Sequence, residues 1–134
     1  FFVAPQNENE REIALKPNEI LTEIVVPAAE TRNATYEIRP DEGLNWPLVT
    51  ASVSLRMKGS QVESARIVMG HVGPTPVVAS AAARWLRGKR ITEEVASEAG
   101  RRAVQGAKPL SQNGYKVQLA SVAVKRALLT AAGG

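Results

Sequence analysis

The stretch from Val53 to Gly70 limits this chain more than any other. Val53, Leu55 and Met57 alternate with Ser54, Arg56 and Lys58, so one face is apolar and the other polar. That period of two predicts a strand lying on a core with its second side wet. Gly59-Ser60 follows, a two-residue loop with glycine first, which suits a type II′ hairpin. Ala65, Ile67 and Met69 then alternate with Ser64, Arg66 and Val68, and this second strand stops at Gly70. An antiparallel hairpin with one apolar face needs something laid over that face, and the rest of the chain must supply it.

The residues after the hairpin meet that need. Gly70-His71-Val72-Gly73-Pro74-Thr75-Pro76 breaks the alternation, and everything beyond it reads as helix. Over Ala79–Arg87 the helical period puts Ala79, Ala82, Ala83 and Leu86 on one face, with Gly88 as the stop. Thr92 is placed as an N-cap, and Glu93 and Glu94 suit the positive end of the helix that follows, which carries Val95, Ala99 and Ala103. After Pro109, Asn113 is the expected cap of a last helix. In it Val117, Ala120, Ser121, Val124, Leu128 and Ala131 share a face. Before the hairpin, Ile20–Val26 is β-rich and ends at Pro27, so a strand is expected there. Residues 28–34 read as a connector, and Tyr36–Arg39 as a further extended piece. Strands first and helices second is an α+β order: an antiparallel sheet of three to four strands with three helices packed on one face, in a single domain covering residues 1–134.

Composition narrows the chemistry. The chain has 134 residues, no cysteine and one histidine. Disulfides, thiolate metal sites and a cysteine nucleophile are excluded, and a cytoplasmic setting is permitted. His71 alone cannot build a zinc site, and no partner that would orient it as a general base is evident. The reading is therefore no catalytic residue and no metal. Gly70–Pro76 is neither a Walker A loop nor a dinucleotide fingerprint. Pro74 and Pro76 each lack the N–H that a phosphate cradle requires, so the segment reads as a rigid crossover. No apolar run is long enough to span a membrane. The match of Asn33-Ala34-Thr35 to a glycosylation sequon is taken as chance, since no secretory signal precedes it. The opening Phe1-Phe2, without a methionine, reads as an internal piece of a longer chain.

Charge is uneven. Residues 1–67 carry 7 Lys+Arg against 10 Asp+Glu, and residues 68–134 carry 10 against 3. Arg84, Arg87, Lys89 and Arg90 form one cluster, Arg101 and Arg102 a second, and Lys125 and Arg126 a third. Solvated helical faces explain such clusters. The alternative is a binding module that uses the basic half on an acidic protein or a nucleic acid. Only Trp85 stands inside a basic cluster, and it is expected to pack near Ala81 and Ala82. No nucleic-acid motif is present, and nucleic acid is not an expected partner.

The order of motifs is more specific than any one of them. Leu15-Lys16-Pro17-Asn18-Glu19-Ile20-Leu21-Thr22-Glu23-Ile24 leads to Val26-Pro27. Then come Tyr36, Asn45-Trp46-Pro47, the hairpin, Ala65-Arg66-Ile67-Val68-Met69-Gly70, Pro74-Thr75-Pro76, Leu86-Arg87-Gly88-Lys89, Gly106-Ala107-Lys108-Pro109-Leu110 and Asn113-Gly114-Tyr115-Lys116. This series resembles the C-terminal domain of the FAD-binding subunit of molybdenum hydroxylases, the family of carbon monoxide dehydrogenase, xanthine dehydrogenase and bacterial aldehyde oxidoreductases. The resemblance implies a domain that helps to close the FAD site and to hold together a complex. That complex passes electrons from a molybdenum centre through [2Fe-2S] clusters to FAD. The implied partners are the preceding FAD-binding domain of the same subunit and the molybdopterin and [2Fe-2S] subunits. The glycine-rich FAD-binding subdomains are absent from this chain, so the resemblance implies FAD in the intact subunit and none held by these residues alone. It also puts Tyr36, Arg39 and Trp46 on a loop near the flavin. Relatives carry a lysine two residues after the tyrosine and an acidic residue before the aromatic. Here Ile38 and Asn45 stand in those places, and Arg39 is the cation that could substitute. On residue chemistry alone Tyr36 and Trp46 serve equally as contacts to a ligand or as anchors of the loop to the sheet.

Overall fold

The computed structural model describes residues 1–41 and 43–133. Four strands and three helices follow one another: β1 (Arg32–Ile38), β2 (Val49–Lys58), β3 (Gln61–Gly70), β4 (Val77–Val78), α1 (Ser80–Trp85), α2 (Glu93–Ala103) and α3 (Tyr115–Ala132). The strands form one antiparallel sheet in sequential order β1-β2-β3-β4. The α+β expectation holds in strand number, direction and helix number.

The hairpin is the spine of the sheet. Lys58 pairs with Gln61 across Gly59-Ser60. Gly59 has φ +60° and no positive φ falls on Ser60, which is the pattern of a type II′ turn. Val49, Ala51, Val53 and Leu55 from β2 are buried with Val62, Ile67 and Met69 from β3. A register shift between Arg56 and Met57 keeps both Val62 and Ala65 on the covered face. β1 contributes Ala34, Tyr36 and Ile38 to that same face. It starts at Arg32 and ends at Ile38, so the segment read as a connector is partly strand. What recruits Arg32 and Asn33 is pairing with Leu55 and Ser54 of β2, which local propensity does not reveal.

α3 lies across β1 and β2, α1 against β3, and α2 packs on α1 and α3. The predicted face of α1 is the one observed: Ala79, Ala82, Ala83 and Leu86 are all buried. Thr92 caps α2, its hydroxyl accepting the Val95 N–H at 3.2 Å. On α3 the buried residues are Ala120, Ala123, Val124, Ala127, Leu128 and Ala131, while Ser121 and Val117 are half-buried. Ser121 instead meets α2, where its carbonyl oxygen occupies the space that a Cβ on Gly100 would need. The alanine faces let these helices approach closely.

Two local expectations fail. Asn113 does not cap α3: its Oδ1 accepts the Leu110 N–H at 2.7 Å, tightening the preceding turn, and Gly114 occupies the cap position without a side-chain bond. The Ile20–Val26 segment forms no strand. Ile20, Ile24, Val25 and Val26 are 77–86% exposed, and no described residue offers them a ladder. A strand needs a partner edge as well as apolar residues.

Candidate functional site

The loop between β1 and β2 is built around Asp41. One carboxylate oxygen accepts the Gly43 N–H at 2.9 Å, and the other accepts the Asn45 side-chain amide at 2.6 Å. At its base the Leu48 N–H donates to the Ile38 carbonyl at 2.8 Å. Asn45 is thus a donor where relatives are expected to carry an acid. A carboxylate at 45 would face Asp41 with like charge and no proton to share. Trp46 follows directly and stands 81% exposed. Its ring centroid is 6.2 Å from that of His71, with the planes inclined at 43°.

His71 occupies the left-handed region at φ 61°, an uncommon place for a residue with a side chain. Its carbonyl accepts the Lys116 ammonium at 3.0 Å, tying the turn after β3 to the start of α3. Beside it opens a cleft of about 690 Å³, walled by Pro74, Val104, Lys108, Leu110 and Lys116. Such a volume is ample for a small ligand or an inserted side chain.

The three residues proposed from sequence do not converge. Tyr36 points toward the helices. Its hydroxyl accepts a hydrogen bond from Arg126 Nη1, and the Arg126 guanidinium carbon lies 5.2 Å from its ring centroid. Arg39 is exposed, with Nε and Nη2 both donating to Glu37 Oε2 at 2.9 and 2.6 Å. Trp46 neighbours His71. The Arg126 and Lys116 contacts were not read from the sequence, because the partners are 90 and 45 residues apart and no local pattern joins them.

Among the described residues no group of three or more histidine, aspartate or glutamate side chains could hold a metal ion. No described helix is long and apolar enough to cross a membrane. The basic half is partly used internally. Lys89 and Arg102 lie 4.6 and 4.8 Å from the Trp85 ring, Arg101 and Arg102 share Glu98, and Lys125 pairs with Glu93. Trp85 packs as expected, but under two cations as well as against the core.

Comparison with known proteins gives these features a setting. No curated protein sequence matches the chain. Among solved structures, quinoline 2-oxidoreductase from Pseudomonas putida 86 superposes with a TM-score of 0.75 at 30% identity, over 81% of this chain and 39% of that one. Carbon monoxide dehydrogenase from Hydrogenophaga pseudoflava gives 0.68 at 33% identity, over 79% and 38%. Reconstituted carbon monoxide dehydrogenase from Oligotropha carboxidovorans gives 0.70 at 27%, over 82% and 40%. The chain therefore spans about two-fifths of the length of these relatives. The family described as the CO dehydrogenase flavoprotein C-terminal domain matches residues 34–131, from the third residue of β1 to the end of the buried face of α3. The chain belongs to that family, the C-terminal domain of the flavoprotein subunit of molybdenum hydroxylases.

Proposed function

We propose that this chain acts as the accessory C-terminal domain of a flavoprotein subunit, closing over bound FAD with the loop from Tyr36 to Trp46 and helping to hold the parent complex together. The observation that carries the reading is Trp46. A large aromatic ring is 81% exposed next to Asn45, whose side-chain amide donates to Asp41, and beside His71, whose carbonyl accepts from Lys116. An exposed aromatic ring suits one face of a planar heterocycle. The fit is to a ring contact only. Pro74 and Pro76 leave the nearby turn without the donors that would cradle a diphosphate. When bound, FAD supplies the two-electron and one-electron transfer chemistry. The chain's own residues position and shield it: Trp46 covers, Tyr36 anchors the strand beneath the loop, and Arg39 offers charge at the rim once it is released from Glu37.

The exposed apolar run Ile20–Val26 supports a preceding FAD-binding domain as the first partner, since these residues have strand chemistry and no ladder of their own. The molybdopterin and [2Fe-2S] subunits are the further partners in this reading, and the cytoplasm is its compartment.

The test is made in the full-length subunit with Trp46→Ala, Tyr36→Ala and Arg39→Ala, measuring FAD affinity, flavin reduction potential and melting temperature. Trp46→Ala is expected to weaken FAD binding and shift the potential with little change in melting temperature. If all three variants lose only stability, or change nothing, the loop is structural and the reading fails.

A further inference from the structure

The cleft beside His71 is walled by three segments: the turn after β3, the connection between α2 and α3, and the first turn of α3. It reaches the core, since Met69 and Ala120, each 4% exposed, line it. Val72, Ala103 and Val104 also line it and pack against that core. Hydrogen bonds and proline rings shape its walls without an occupant. Lys116 Nζ ties down the turn after β3 through the His71 carbonyl at 3.0 Å. Asn113 Oδ1 closes the α2–α3 connection on itself by accepting the Leu110 N–H at 2.7 Å. Pro74 and Pro109, one in each of these segments, have φ fixed by their rings.

The polar part of the lining is one-sided. Lys108 and Lys116 supply its charge, and among the described residues no carboxylate lines it. Four cations of the chain are half-buried: Lys89, Arg102, Lys116 and Lys125. Arg102 and Lys125 pair with glutamates, and Lys89 lies over the Trp85 ring. Lys116 has neither a carboxylate nor a ring. Its one partner among the described residues is the His71 carbonyl, which takes one of three donors and neutralises nothing. Asn113, also half-buried, accepts through Oδ1, and its amide nitrogen keeps two donors that meet no acceptor among the described residues.

We propose that this cleft binds a small apolar carboxylate, with its hydrocarbon part along Met69, Val104 and Ala120 and its acid group at Lys116 and Asn113. An ionised carboxylate is acceptor-only, the complement of side chains that have only donors left. A neutral ligand would leave the Lys116 ammonium without a counter-charge, and a small inorganic anion would leave the apolar walls wet. At about 690 Å³ the cleft falls inside the range of roughly 300–1,000 Å³ usual for small-molecule sites. This inference is independent of the flavin reading, since Trp46 does not line the cleft and the probe is not FAD.

The test titrates sodium octanoate, kept below micelle-forming concentrations, into the whole chain and follows backbone amide and methyl signals by NMR. Saturating shifts at Val104, Lys116 and Val117 are expected, with a Kd below about 1 mM. Acetate, the acid without the apolar body, and octanol, the body without the charge, should each bind at least tenfold more weakly. Lys116→Gln removes the charge, and Ala107→Glu sets a like charge in the lining. Each should weaken octanoate binding at least tenfold at unchanged melting temperature, while Lys58→Gln at the hairpin leaves it alone. Equal affinity for octanol or for acetate overturns the proposal, as do shifts that never saturate or an equal loss in Lys58→Gln. So does tighter binding of acetylated trileucine, which would make the cleft a seat for the tail of a protein.

Discussion

Arg126 of α3 reaches across to Tyr36 of β1, its guanidinium lying over the ring and its Nη1 donating to the hydroxyl. One side chain thus joins the last helix to the first strand of the sheet, two residues before that strand ends at Ile38. Removing the hydroxyl with Tyr36→Phe leaves the ring contact and should cost about 1 kcal/mol, the worth of one hydrogen bond to a charged or polar partner. Arg126→Ala removes both contacts and should cost about 1–2 kcal/mol. Urea unfolding of the two single variants and the double variant measures the coupling. Additive losses would mean that the two residues act separately.

At Gly100 α2 and α3 pack closely, with the Ser121 carbonyl in the place of a Cβ. An alanine normally favours a helix interior over glycine. Here Gly100→Ala must push the helices apart, so it should destabilise by about 1–3 kcal/mol, as overpacking does. A rise in the denaturation midpoint would show that the crossing is looser than described.

Acid should weaken the α2 region through its carboxylates. The hydrogen bond from Arg101 to Glu98, helped by the charges of Arg101 and Arg102, holds the Glu98 carboxyl below the usual carboxylate range. A bond from its own backbone N–H, then one from Thr92, does the same for Glu94. A depressed folded-state pKa means stability that is present above the unfolded-state value and lost as pH falls through the folded one. Glu98→Gln should therefore be less stable than the parent at neutral pH, and the gap should close as pH drops through and below the ordinary carboxylate range. Denaturation midpoints measured against pH check this. A gap that persists unchanged in acid would remove the ionic explanation.

The chain by itself should not retain FAD. The sequence carries no phosphate-binding glycine motif, and Pro74 and Pro76 remove two N–H groups from the one glycine-rich candidate. The protein purified after incubation with excess FAD is expected to show no stoichiometric flavin absorbance. A yellow chain would mean that the loop and the 690 Å³ cleft suffice without the rest of the subunit.

The hairpin, the α1 face and the Thr92 cap were legible because each is local: a period of two, a period of 3.6, and a hydroxyl three residues from the N–H it accepts. The extent of β1 was not, because Arg32 and Asn33 become strand only by pairing with Leu55 and Ser54. Ile20–Val26 misled for the reverse reason, since its residues favour a strand that these surroundings do not complete. Asn113 carries a good capping side chain but spends its oxygen on Leu110, a competition that composition cannot decide. At the candidate site the loop could be read from Pro40, Asp41 and Gly43. The pairing of Trp46 with His71 could not, because it joins two turns brought together only by the sheet.

Because α3 supplies the cover for β1 and β2 and is the last element of the domain, the order of synthesis matters. While the chain emerges from the ribosome, all four strands can pair before Val124, Ala127, Leu128 and Ala131 exist to shield them. For that interval the nascent sheet shows water a bare apolar face that includes Val49, Val53 and Leu55. Such a surface invites holdase chaperones and contact between neighbouring nascent chains. Messages truncated within α3 should yield aggregates.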